Sequence, residues 1–80
     1  MRLDKYLKVS RIVKRRTVAN EICDAGRAEV NGRAARASYD VKVGDIIALN
    51  LGGSVKRYEV LAVNEFAPKD AASAMYRELS

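Results

Sequence analysis

MRLDKYLKVSRIVKRR, residues 1–16, is the stretch from which the rest of the chain is read. It carries seven basic residues, Arg2, Lys5, Lys8, Arg11, Lys14, Arg15 and Arg16, against a single acid, Asp4. The chain as a whole has a net charge of +5, and residues 17–80 hold eight basic and nine acidic side chains, so the positive excess sits in the first fifth. Charge gathered in one place, rather than spread for solubility, is an electrostatic footprint for a polyanion, with nucleic acid the first candidate. The apolar residues between the charges exclude a disordered basic arm, which has no face to bury. Leu3, Tyr6 and Leu7 recur at i, i+3 and i+4, and Val9, Ile12 and Val13 follow them, giving the helical period.

Residues 17–26, TVANEICDAG, predict a second helix. Val18, Ala19, Ile22 and Cys23 form its apolar stripe, Gly26 falls where a left-handed residue ends a helix, and Thr17 is the expected N-cap. Lys14, Arg15 and Arg16 then crowd the positive end of the helix dipole, which is unfavourable until an anion arrives. A helix N-terminus with free N–H groups already suits phosphate.

Downstream the pattern changes to strands. Residues 27–35, RAEVNGRAA, read as a hairpin about an Asn31-Gly32 type I′ turn, with short Ala-rich strands at one edge of a sheet. Residues 37–43 are irregular, Val43-Gly44-Asp45 is a turn, and IIALNL (46–51) is an apolar strand. Gly52-Gly53-Ser54 turns into VKRYEVLAV (55–63), which is again strand-like. Pro68 breaks the pattern, and DAASAMYREL (70–79) has weak helical character. The expected fold is α+β: two N-terminal helices packed on a small, mostly antiparallel sheet of about four strands, with a short C-terminal helix, as a single domain over residues 1–80. Tyr6, Tyr58 and Phe66 are expected to pack in the core, with base stacking the lesser reading for the aromatic residues.

The chemistry that is missing narrows the function. The chain has no His, which removes most zinc sites and most general-base schemes. Its ten acidic residues show no carboxylate pair, and Asp45 reads as turn chemistry rather than as a catalytic acid. Cys23 has neither a partner thiol nor an activating base, which suits a reducing compartment. With no signal peptide and no apolar run of the roughly 18 residues that a span requires, neither export nor a membrane span is expected. A phosphate-and-shape reader of nucleic acid, without catalysis, fits these features better than a sequence-specific single-strand reader.

Four ordered motifs carry a family resemblance. Met1-Arg2-Leu3-Asp4-Lys5-Tyr6-Leu7, Lys14-Arg15-Arg16-Thr17-x-Ala19, Gly26-Arg27-x-x-Val30-Asn31-Gly32 and Val41-x-x-Gly44-Asp45 resemble the S-four (αL) RNA-binding domain family, over residues 1 to about 51. The opening residues, the VKRRT run and the AASAMY stretch look nearest to its short stand-alone RqcP-like group, of bacterial ribosome-associated quality control. The resemblance implies Arg2, Lys5, Arg11, Lys14, Arg15 and Arg16 as RNA-binding positions, with Asp4 orienting an arginine. It implies as partners large-subunit rRNA, peptidyl-tRNA on split, stalled large subunits, and a protein that adds C-terminal alanine tails. No cofactor, no metal and no membrane are expected, and a cytoplasmic monomer is. The alternatives are a heat-shock-type S-four protein that binds free large subunits, and a binder of free tRNA or structured RNA. The heat-shock type carries a long basic C-terminal extension that this sequence lacks. A remnant of an RNA-modifying enzyme is disfavoured, because the sequence stops where a catalytic domain would begin.

Overall fold

A computed structural model of the chain describes residues 1–66 and 68–79. Helices α1 (Leu3–Val9) and α2 (Arg16–Asp24) come first, followed by strands β1 (Ala28–Val30), β2 (Arg33–Ala34), β3 (Ile46–Leu51) and β4 (Ser54–Val60). A short helix α3 (Lys69–Ala72), a 3-10 turn (Ser73–Met75) and a last strand β5 (Tyr76–Glu78) complete the chain. The strands form one antiparallel sheet in the order β2-β1-β3-β4-β5.

The two helices end by different devices. Gly26 (φ +76°) follows α2, its N–H donates to the Cys23 carbonyl at 3.1 Å, and the Arg27 N–H donates to the Ile22 carbonyl at 3.0 Å. These two bonds are a Schellman motif, and Gly26 is the residue that lets the chain turn left-handed there. α1 stops earlier than its apolar stripe suggests. Arg11 takes the left-handed conformation (φ 65°) immediately after the cap Ser10, so Ile12 and Val13 lie in the connection rather than on the helix. The Val13 N–H recovers the Leu7 carbonyl at 3.0 Å, and the Val13 side chain still reaches the core.

The start of α2 corrects the sequence expectation. Arg15, not Thr17, is the N-cap, in an extended conformation (φ −122°, ψ 134°), and Thr17 lies inside the first turn. That register places Ala19 and Cys23 in the core, which outweighs the modest gain from a hydroxyl cap. The Arg15 side chain makes no capping hydrogen bond at this end.

The sheet buries one face against the helices. Ala28 and Val30 of β1, Ile47 and Leu49 of β3, and Tyr58 and Val60 of β4 join Leu3, Tyr6, Leu7, Ala19 and Cys23 in a single core cluster. The period-2 alternation of the strands is what brings these residues to the same side. The hairpin turn is as read, with Asn31 at φ 55° and Gly32 at φ 83°.

Two C-terminal expectations fail. The sheet has five strands, because Tyr76–Glu78 pairs with β4 instead of extending a helix, and Tyr76 meets Tyr58 edge-on at 5.5 Å. Phe66 is outside the core altogether, 85% exposed. Both misreadings fall where short segments carry little periodicity and tertiary pairing decides.

Tyr6 links the two ends of the chain. Its buried hydroxyl donates to the Met75 carbonyl at 2.7 Å, and burial pushes the phenol pKa up. Tyr6→Phe is expected to cost about 1 kcal/mol, read as a fall in melting temperature of roughly 4–8 °C. The loss stays this small because the Met75 carbonyl keeps the Leu61 N–H at 2.8 Å. An unchanged melting temperature would show that this link does not hold the C-terminal segment in place.

Candidate nucleic-acid interface

The basic residues of the first segment surround one buried acid. Asp4 lies in the first turn of α1 with its side chain only 3% exposed. Its Oδ1 accepts from Arg2 Nε at 3.1 Å and from the Lys5 N–H at 2.8 Å, and its Oδ2 accepts from Arg2 Nη2 at 3.4 Å. Across the helix pair, Oδ2 also accepts from Arg16 Nε at 3.4 Å and from Asn20 Nδ2 at 3.3 Å. One carboxylate therefore positions guanidinium groups from the N-cap of α1 and the first turn of α2.

Burial alone would raise the Asp4 pKa. The hydrogen bonds from Asn20, Arg2, the Lys5 N–H and Arg16 outweigh it and hold the carboxyl below its ordinary range. Asp4 is thus an anion at neutral pH, and it neutralises only one of the two arginines it holds. Both arginine side chains remain about half exposed. Arg16 uses only Nε in this contact, so among the described residues its two Nη groups have no protein partner. They stand at the uncapped end of α2, where backbone N–H groups and the dipole add attraction for an anion.

The remaining residues are placed differently. Arg11, Lys14 and Arg15 are exposed, in the α1–α2 connection and at the α2 N-cap, and make no ion pair among the described residues. Arg11 keeps its left-handed backbone without the freedom of glycine, a conformation that costs about 1–2 kcal/mol. The Lys5 side chain lies outside the Asp4 cluster, pairing with Glu65 at 3.3 Å and lying 5.8 Å from the centre of the Phe66 ring. The structure brings Arg2, Asp4 and Arg16 into one cluster and leaves Lys5, Arg11, Lys14 and Arg15 around it. Asn20 was missed in the sequence. Its spacing of i+4 from Arg16, on the helix face that meets α1, was the available signal.

A second buried carboxylate supports the hairpin. Asp45 accepts from Asn31 Nδ2 at 3.0 Å, from the Tyr39 hydroxyl at 2.9 Å and from the Lys42 N–H at 2.9 Å, while Asn31 Oδ1 accepts from the Ile46 N–H at 2.9 Å. Desolvation raises its pKa, and these bonds more than offset it, so Asp45 also titrates below the ordinary range. It therefore does more than shape its own turn, locking the β1–β2 turn to the start of β3. Cys23 is buried, and desolvation pushes its thiol up to about 11, far from a reactive thiolate.

The chain resembles known proteins over nearly all of its length. Residues 1–47 match the S4 domain. Over 80 residues the chain is 49% identical to a protein of Streptococcus pneumoniae named RQC P-site tRNA stabilizing factor, covering all of this chain and 91% of that one. A Bacillus subtilis protein of the same name is 46% identical over 76 residues, covering 95% of this chain and 88% of its own length. Among solved structures, Vibrio cholerae heat shock protein 15, described as trimeric, superposes with a TM-score of 0.88 at 30% identity, over all of this chain and 82% of that one.

Proposed function

The chain belongs to the S4 domain family, and we propose that it is a non-catalytic RNA-binding factor of bacterial ribosome-associated quality control. In this reading it binds large-subunit rRNA and peptidyl-tRNA on split, stalled large subunits. There it supports a partner protein that adds alanine tails to the nascent chain. The observation that carries the reading is the Asp4 clamp. It presents Arg2 and Arg16 side by side at an uncapped helix end, as a phosphate-binding surface requires. Kinship with proteins named for stabilising P-site tRNA supports the choice of RNA over other polyanions. The RNA-binding positions are Arg2, Lys5, Arg11, Lys14, Arg15 and Arg16, with Asp4 as the orienting residue. Among the described residues no helix is long and apolar enough to cross a membrane, and a cytoplasmic site of action is part of the proposal.

Sedimentation of the tagged protein through a sucrose gradient tests this directly. Co-migration with free large subunits supports it, and confinement to the ribosome-free fractions points instead to free tRNA or structured RNA. Affinity should also fall steeply with salt. If about four to six phosphates are neutralised, log K against log[salt] has a slope of roughly −3 to −5. A slope near zero would mean that the basic segment is merely a solvated face.

A further inference from the structure

Phe66 stands apart from the other exposed apolar residues. It is 85% exposed, more than any other large hydrophobic side chain described, yet it is held rather than left loose. The Asn64 side chain accepts a hydrogen bond from the Phe66 N–H at 3.1 Å, which sets the local turn. Glu65, its neighbour, pairs with Lys5 at 3.3 Å. The Lys5 ammonium also lies 5.8 Å from the centre of the Phe66 ring, within cation–π range. These contacts fasten the 64–66 loop to α1, three residues along from Arg2 and hence on a neighbouring part of the same helix surface.

Exposed single apolar residues are ordinary on protein surfaces and need no explanation by themselves. What distinguishes this one is a flat π-face anchored at the border of the most positively charged surface of the molecule. RNA offers ligands for both halves of such a surface, phosphates for the cations and unpaired bases for the ring. A ring so exposed leaves ample area for a base to stack on.

We propose that Phe66 is a nucleobase-stacking residue: an unpaired base of the bound RNA stacks on its ring while Arg2, Arg16 and their neighbours hold the adjoining phosphates. The proposal rests on the RNA-binding reading above, and extends it from phosphates and shape to single-stranded nucleotides beside a duplex. Stacking tolerates any base, so the preference created is for unpaired over paired RNA rather than for a sequence.

The test uses the full chain and two RNAs, a blunt hairpin and the same hairpin with a short single-stranded tail. Wild type should bind the tailed RNA more tightly. Phe66→Ala should weaken binding of the tailed RNA by about 5- to 150-fold, leave the blunt hairpin unaffected and abolish the difference between them. Because the ring is exposed, the variant should melt with the wild type. Phe66→Trp should keep the preference and, as the chain contains no other tryptophan, report stacking by fluorescence quenching with the tailed RNA only. If both RNAs bind in an Arg16-dependent way but Phe66→Ala changes neither, the RNA-binding reading stands and stacking is refuted, as when the ring docks on a protein. Failure of wild type to bind either RNA would overturn both.

Discussion

The Asp4→Ala protein is expected to melt roughly 10–20 °C below wild type, a loss of about 2–3 kcal/mol. Asp4 is almost fully buried and accepts hydrogen bonds from Arg2, Arg16, Asn20 and the Lys5 N–H. Removing one partner of a buried ion pair typically costs about 3–5 kcal/mol, because the other charge is stranded. Here the two arginine side chains are half exposed and regain water, which brings the expected cost to the lower figure. Asp4→Asn should be little better. Its oxygen can still accept the Lys5 N–H, but its amide nitrogen is a donor where Arg16 and Asn20 also donate. RNA affinity should fall in both variants even well below their melting temperatures, since both arginines lose their common anchor.

The same carboxylate should leave a signature in pH. The Asp4 pKa is lowered from 3.8 in the folded state, so its contribution is complete above the unfolded value and is lost as pH falls through the folded one. Asp45, lowered for similar reasons, adds to the same acid limb. Wild-type stability is thus expected to decline below about pH 4, and in Asp4→Ala to decline less steeply. Parallel acid limbs in the two proteins would mean that Asp4 is not bonded more strongly when folded. A melting temperature within a degree or two of wild type would remove the clamp as a stabilising element.

What could be read in advance followed from strong local signals. The i, i+3, i+4 recurrence of Leu3, Tyr6 and Leu7 gave α1, and Gly26 and the Asn31-Gly32 pair marked a helix end and a hairpin that the backbone adopts. Each is a case in which one residue type is favoured by a particular φ or a particular burial pattern. The early end of α1 was hidden because its left-handed residue is Arg11 rather than glycine. β5 was hidden because three residues carry no resolvable period, and its strand character comes from pairing with Tyr58, Glu59 and Val60. In the candidate site, the charge concentration and the lone Asp4 were plain in the sequence. That Asp4 would reach Arg16 twelve residues away depends on how α1 packs on α2, which no local pattern encodes. Phe66 was assigned to the core on hydrophobicity alone. Its neighbours, Glu65 and Asn64, bind the loop to the surface of α1 and to itself, so the ring remains outside.

Among single substitutions in the basic segment, Arg16→Ala and Arg2→Ala are expected to weaken RNA binding most, each by about 1–3 kcal/mol, and together by more than either alone. Arg16 has the stronger claim. Its Nε is fixed on Asp4, its Nη groups have no protein partner among the described residues, and it opens α2 where the backbone itself attracts an anion. A guanidinium already held by one edge loses little entropy when its other edge binds phosphate, so the contact is preorganised. Arg2, held by both Nε and Nη2, is still more fixed but has less of its fork to offer. Lys8 is exposed and lies in the last turn of α1, opposite in every respect: a flexible stem, a point charge and, among the described residues, no partner to aim it. Lys8→Ala should therefore lower the salt slope slightly and the affinity less than either arginine substitution. Arg16→Lys separates geometry from charge, because it keeps the cation and loses the planar fork. It should bind closer to Arg16→Ala than to wild type. The stability cost of Arg16→Ala should stay below about 1 kcal/mol, because Arg2 and Asn20 still satisfy Asp4. Large-subunit binding and melting curves measured on the same five proteins decide the matter. Equal losses for Lys8→Ala and Arg16→Ala would reduce the site to diffuse electrostatics, and unfolding of Arg16→Ala would make that arginine a structural residue.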